Sequence, residues 1–185
     1  MSRSQEIRDI LQQAARLDRE WQGKADTGDR AYTPWMPFNT AEFLTLLIEA
    51  IGEAPGDRFL EIGSGIGTKL LLAGQIFGLE VHGIERVQEY SNQAVALLGP
   101  DRDFSWRVTN ADAIDYDGYG KFDIIWFNRP FRDPVMQSAL EQQVWAETAH
   151  GSVVICANLE DRPPSSWLIV DDDWERRRGC WAKPR

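Results

Sequence analysis

The residues of this chain best placed to do chemistry are Glu61, Glu85, Asp112 and Asn128, each at or just beyond the end of an apolar run. The first run leads into Glu61-Ile62-Gly63-Ser64-Gly65-Ile66-Gly67 and on to Thr68-Lys69-Leu70-Leu71-Leu72. Glycines at such a junction let the backbone turn sharply and approach a ligand closely. A phosphate-binding P-loop needs glycine followed directly by lysine and then serine or threonine. Here Thr68 separates Gly67 from Lys69, and Leu70 follows, so the pattern fails. The dinucleotide fingerprint G-x-G-x-x-G seats a pyrophosphate on a helix N-terminus, and Thr68 occupies the place of its third glycine. The Glu61 carboxylate would repel a pyrophosphate and suits a ligand carrying a cation. Glu85 closes the next apolar run, where an acid can accept two hydrogen bonds from a ribose diol.

These positions require strands that end together. The segment 56–160 supplies them: RFLEI, LEVHGIE, FSWRVTN, KFDIIWF and SVVICANL read as short strands, nearly apolar throughout. Between them GTKLLLAGQIF, ended by Gly78, and RVQEYSNQAVALL, ended by Gly99-Pro100, read as helices. A further helix begins at Asp133-Pro134, an N-cap followed by proline at the first helical position, and runs to His150-Gly151. Strands alternating with helices predict a doubly wound α/β sheet of six or seven mostly parallel strands, with helices on both faces. EDRPPSS is too short for a helical crossover, so WLIVDDD and GCWAKP, joined by WERRR, read as a terminal hairpin that adds an antiparallel strand at the C-terminal edge. Upstream, residues 4–22 carry Ile7, Ile10, Leu11, Ala14, Leu17 and Trp21 on one helical stripe, with Ser2 and Gln5 as a capping box. Asn39 and Glu42 open a second helix, which Gly52 is expected to stop. Between the two lie the turn-rich GKADTGDR and the proline-stiffened AYTPWMPFNT. The division expected is a helical arm and lid over 1–55 and a core over 56–185, in one globular unit.

The acid-x-Gly-x-Gly-x-Gly turn after the first strand resembles motif I of the class I S-adenosylmethionine-dependent methyltransferases. That donor joins an adenosine through a sulfonium to a methionine and carries no phosphate. The resemblance covers roughly 56–160 and implies a Rossmann-like fold. It implies that Glu61, Gly63, Gly65 and Gly67 cradle the donor and that Glu85 holds its ribose. By position Asp112 would meet the adenine amino group, and the Ala113 backbone a ring nitrogen. FDIIWFNRPF resembles the F-D-x-I-x-x-N-P-P-[YF] segment of members that methylate amino or amide nitrogen. The matching residues are Asn128, Pro130 and Phe131, with Asn128 as the acceptor-orienting residue, whereas Arg129 replaces the first proline. An asparagine at this strand end also resembles the non-SET histone-lysine methyltransferases, so the acceptor class stays open. Tyr32, Trp35 and Phe38 are expected to form a flap over donor and acceptor, with Arg129 and Phe131 in the acceptor pocket. The implied cofactor is S-adenosyl-L-methionine, and the product S-adenosyl-L-homocysteine.

The bulk properties fit one globular domain of 185 residues with 43% hydrophobic and 26% charged residues. A formal charge of −9 disfavours duplex nucleic acid as a partner and leaves a small molecule or a protein side chain as acceptor. The polar N-terminus and the absence of a long apolar run predict a soluble, cytoplasmic protein. Cys156 and Cys180 form no disulfide framework and no metal-ligand pattern, and Cys156 reads as a buried thiol. His82 reads as a packed strand residue, and His150 as a complement to a helix C-terminus. Two other functions compete: a nicotinamide-dependent oxidoreductase, disfavoured by the glycine spacing and Glu61, and a nonenzymatic adenosyl-ligand-binding module. In any of the three, the arm could serve dimerisation.

Overall fold

A computed structural model describes residues 2–22, 31–34 and 36–185 of the chain. Five parallel strands form the body of the sheet: β1 (Arg58–Ile62), β2 (Glu80–Glu85), β3 (Trp106–Asn110), β4 (Ile124–Asn128) and β5 (Val153–Ala157). With β6 (Leu168–Asp173) and β7 (Arg178–Ala182) the order is β3-β2-β1-β4-β5-β7-β6. The expected doubly wound sheet is present, with seven strands. The antiparallel strand β7 lies one place in from the edge, inserted between β5 and the outermost strand β6, and it pairs antiparallel with both. β7 bonds β6 through a short connection on one side and completes the sheet against β5 on the other.

Alternation along each central strand builds two cores. Phe59, Ile124, Trp126, Val153 and Ile155 face one side, where they meet α2 (Thr40–Glu53), α3 (Thr68–Phe77) and α4 (Gln88–Leu98). Leu60, Ile125, Phe127, Val154 and Cys156 face the other side and meet α5 (Pro134–Glu147). A strand buried on both faces needs apolar residues at every position, which is why these segments read as continuous runs. Cys156 and Cys180 are both buried free thiols, and burial pushes Cys180 up to about 12.

α1 (Arg3–Trp21) packs along α3 in the opposite direction. The Arg3 guanidinium donates to the Gln75 and Ile76 carbonyls at the C-terminal end of α3. At the other end Asp18 accepts from the Thr68 hydroxyl at 2.8 Å. Both ends therefore place the charge that the α3 dipole favours. Ser2 and Asn39 cap α1 and α2 as expected. Gly52 does not stop α2, which continues to Glu53. The break comes from Pro55, which forces Ala54 into the extended region (ψ 147°). α5 ends at Glu147, so His150 lies beyond the helix, with its Nδ1 2.7 Å from the Pro184 carbonyl oxygen. The complement to that helix end is Lys183, whose Nζ donates to the carbonyls of Trp145, Ala146 and Thr148.

At the opposite end of the sheet from the glycine turn, Arg58 and Asp123 lock the starts of β1 and β4. Arg58 Nε and its backbone N–H both donate to Asp123 Oδ2, at 2.8 and 3.1 Å. The Arg58 side chain holds the Asp123 carboxyl below its ordinary 3.8. A lowered carboxyl stabilises the fold above its unfolded value, and that contribution is lost as pH falls through the lowered value. Asp123→Asn is expected to cost about 1 kcal/mol at neutral pH, a small figure because Arg58 is half exposed. In thermal melts the gap from the wild type should close below pH ~4. A gap that stays constant on acidification would show that the pair contributes no charge-dependent stability.

Candidate functional site

One cleft of about 1020 Å³, its open mouth included, lies across the C-terminal ends of β1, β2, β3 and β4. This is where the strand order reverses, since β1 leads outward to β2 and β3 on one side while β4 and β5 lie on the other. Open parallel sheets bind ligands at such points. Glu61, Gly63, Glu85, Asp112, Ala113, Asn128, Pro130 and Phe131 all line it, as do Tyr32 and Phe38 of the proline-stiffened segment. Trp35 lies outside the described residues.

The glycine turn takes its shape from positive φ at all three glycines: +72° at Gly63, +53° at Gly65 and +80° at Gly67. A side chain at Gly67 would also bring its Cβ within 2.9 Å of Ala94 Cβ on α4. Gly63 lines the cleft itself, whereas Gly65 and Gly67 build the turn behind it.

The acids have distinct environments. Glu61 is 5% exposed, and its Oε2 is a buried atom with no hydrogen-bond partner. Burial pushes its carboxyl well above the ordinary 4.5. Lys69 opposes that rise, and Asp18 and Glu85 add to it. Glu85 is 7% exposed, and its two oxygens accept backbone N–H groups of Gly65 at 2.8 Å and Val87 at 2.7 Å. Burial raises it too, and those backbone donors hold it back. Each oxygen retains a second acceptor site. Asp112 caps the short 3-10 turn Ala113–Asp115 through the Ile114 N–H. Its other oxygen accepts the Tyr32 hydroxyl, and Arg86 Nε lies 3.7 Å away. Arg86 also stacks on the Tyr32 ring at 3.7 Å.

Tyr32 reaches the site because its segment runs beside the β4–α5 connection. The Thr33 N–H donates to the Pro130 carbonyl, the Arg132 N–H donates to the Ala31 carbonyl, and the Tyr32 and Phe131 rings lie 5.1 Å apart. Phe38 packs on Trp126 at 5.0 Å. Thr33 Oγ1 is a second buried, unpartnered polar atom in the cleft lining.

Asn128 Oδ1 accepts from Asn158 Nδ2 at 2.7 Å, which fixes its amide plane. Arg129 does not join the cleft. Its guanidinium pairs with Glu160 at 2.7 Å and donates to the Asn158 carbonyl. Its φ is +41°, a value proline cannot adopt. The loop after Asn128 is therefore not the Asn-Pro-Pro turn with one residue exchanged; its backbone takes another path. Arg132 is likewise an exposed residue outside the lining. His82 sits in β2 with its ring 2.8 Å from the Thr109 hydroxyl, and burial lowers it to about 4, so it stays neutral and structural.

Several residues of the site have no counterpart in the motif reading. Lys69, Thr68 and Tyr90 line the cleft, and Asp18 reaches in behind them from α1. Asp18 did leave a signal, as an acid one position from Leu17 on the apolar stripe. Gln137 and Glu141, fully buried on α5, brace the cleft lining at Phe131. Gln137 Oε1 accepts the Phe131 N–H, and its Nε2 donates to Glu141 at 2.7 Å. Glu141 also accepts the N–H groups of Glu160 and Asp161. Glu141→Gln would turn an amide NH₂ toward donors and is expected to cost about 2 kcal/mol. The melting temperature should fall by about 4–8 °C. A fall under one degree would show that this relay carries no stability.

The fold is the Rossmann-like fold of S-adenosylmethionine-dependent methyltransferases. Among solved structures it is similar to an RNA methyltransferase from Salinibacter ruber in complex with S-adenosyl-L-homocysteine. That match has a TM-score of 0.59 and 17% identity over 79% of this chain and 91% of the other. It is also similar to phosphoethanolamine N-methyltransferase 2 from Haemonchus contortus, with a TM-score of 0.55, 22% identity, and 65% of this chain matched to 28% of that one. A third, an S-adenosylmethionine-dependent methyltransferase from Thiobacillus denitrificans, has a TM-score of 0.53 and 21% identity over 71% and 52% of the two chains. At these identities the likeness is one of fold, and the chain spans little more than a quarter of the Haemonchus protein. No family model and no curated protein matches the sequence.

Proposed function

We propose that this protein is an S-adenosylmethionine-dependent methyltransferase that moves a methyl group to a nitrogen or oxygen of a small molecule or a protein side chain. The observation that carries the reading is the buried, unpartnered Glu61 oxygen beneath a glycine turn, in a cleft that Glu85 and Asp112 also line from the ends of the next two strands. This donor set fits a ligand with an ammonium, a ribose diol and no phosphate. A pyrophosphate would face the Glu61 carboxylate, which argues against a dinucleotide.

When bound, the donor supplies a methyl group already activated on a sulfonium. The acceptor's lone pair forms the new bond to the methyl carbon, and the carbon–sulfur pair returns to sulfur. The chain's task is alignment and exclusion of water. Glu61 would hold the donor's ammonium and Glu85 its ribose, with Asp112 beside the adenine. Asn128, with its oxygen held by Asn158, lines the cleft beside Phe131 and would orient the acceptor there. Tyr32 and Phe38 cover the cleft as a lid. Any proton released by the acceptor leaves to solvent.

No helix among the described residues is long and apolar enough to cross a membrane, which is consistent with a cytoplasmic enzyme. The acidic balance favours small or protein acceptors over duplex nucleic acid. The test is transfer of labelled methyl from the donor across pools of metabolites, proteins and nucleic acids. Label in a metabolite or protein pool that disappears with Asn128→Ala supports the reading. Donor binding with no transfer to any pool would instead mark a nonenzymatic binding module.

A further inference from the structure

Lys69 occupies an unusual place for a cation. It sits in the first turn of α3, where the helix dipole disfavours positive charge, and it is only 4% exposed. A buried ammonium needs close acceptors. The nearest here are Thr40 Oγ1 at 3.4 Å and Asp18 Oδ2 at 3.5 Å, with the Phe43 ring centroid at 5.8 Å. The Asp18 contact is longer than the 2.7 Å of the Arg129–Glu160 pair. Lys69 stays loosely paired, lines the cleft and influences Glu61 electrostatically. The deep end of the cleft thus holds a carboxylate with an unpartnered oxygen and an ammonium with only long contacts.

We infer that Lys69 binds the α-carboxylate of the donor's methionine end, with Asp18 of α1 as the residue that positions it. This rests on the donor reading above and adds to it a residue and an element. The ligand end recognised is a zwitterion, its ammonium on Glu61 and its carboxylate on Lys69. α1 becomes part of the donor site, because Asp18 holds both Lys69 and the Thr68 hydroxyl at the start of α3. Burial of Asp18, at 5% exposure on an otherwise apolar stripe, is then explained by the lysine it steers.

The test compares S-adenosylmethionine with decarboxylated S-adenosylmethionine by calorimetry, on the wild type and on Lys69→Met. Glu61, Glu85 and Asp18 make this end of the cleft acidic, so electrostatics alone favour the decarboxylated, more cationic ligand. A direct Lys69–carboxylate contact reverses that order. The wild type should bind S-adenosylmethionine about 10- to 100-fold more tightly than the decarboxylated form. Lys69→Met should abolish that preference while leaving affinity for the decarboxylated form within a few-fold. Equal affinities in the wild type would overturn the inference without any variant, so a Lys69→Met protein that fails to fold does not protect it. A variant that weakens both ligands alike shows Lys69 to be structural and overturns it too. If the wild type binds neither ligand, the donor reading itself has failed, a result distinct from equal binding of both.

Discussion

Replacing Glu85 with alanine is expected to weaken S-adenosylhomocysteine binding by about 100-fold. The carboxylate is 7% exposed at the end of β2 and lines the cleft. Two hydrogen bonds from a ribose diol to a charged acceptor contribute about 1.5 kcal/mol each, and each 1.4 kcal/mol is tenfold in affinity. The same side chain accepts the Gly65 and Val87 N–H groups, so alanine also leaves one backbone donor of the glycine turn and one at the start of α4 without it. Glu85→Gln separates these roles, because it keeps one acceptor oxygen for the turn and removes the charge. The ligand-free melting temperature reports the turn, and calorimetry reports the ribose contact. If both variants bind S-adenosylhomocysteine as the wild type does, Glu85 holds no ribose.

The second large effect is pH-dependent. Burial sets the Glu61 carboxyl well above the ordinary 4.5, so its protonated form persists to higher pH than that of a free carboxyl. A donor ammonium binds the carboxylate form, so the proton must leave on binding. The sign is therefore a rise in affinity with pH, by up to about tenfold per unit below the raised value and levelling above it. Glu61→Gln should lower affinity about 10- to 100-fold at neutral pH and remove most of that slope. Calorimetry at several pH values, in buffers of different ionisation enthalpy, counts the protons directly. A wild-type affinity flat with pH would contradict a buried Glu61 that meets the ammonium.

The parts of this molecule that a sequence can show are those that depend on local order. The glycine turn was legible because three positive-φ positions in five residues leave glycine as the unstrained choice. The five parallel strands were legible because burial on both faces forces continuous apolar runs. The place of β7 between β5 and β6 was not, since two strands joined by a hairpin can add to a sheet edge in either order. Gly52 misled because a glycine inside a helix costs only about 1 kcal/mol, whereas the proline at Pro55 sets the end. The motif around Asn128 was legible as a strand end, yet its Arg129 took a left-handed backbone and turned away to Glu160. Lys69 and Asp18 stayed hidden for another reason. They belong to different helices, and only the antiparallel packing of α1 on α3 brings them together. The same holds for Glu141, whose partners lie in the connection after β5.

The central claim is that the cleft is a seat for an adenosyl methyl donor. Titration of the wild-type chain with S-adenosylhomocysteine in a calorimeter, beside NADH as a comparison, tests it most directly. The account predicts saturable one-to-one binding of S-adenosylhomocysteine, a matching rise in melting temperature and no heat from NADH. No binding and no thermal shift with S-adenosylhomocysteine, or binding of NADH in its place, would contradict it.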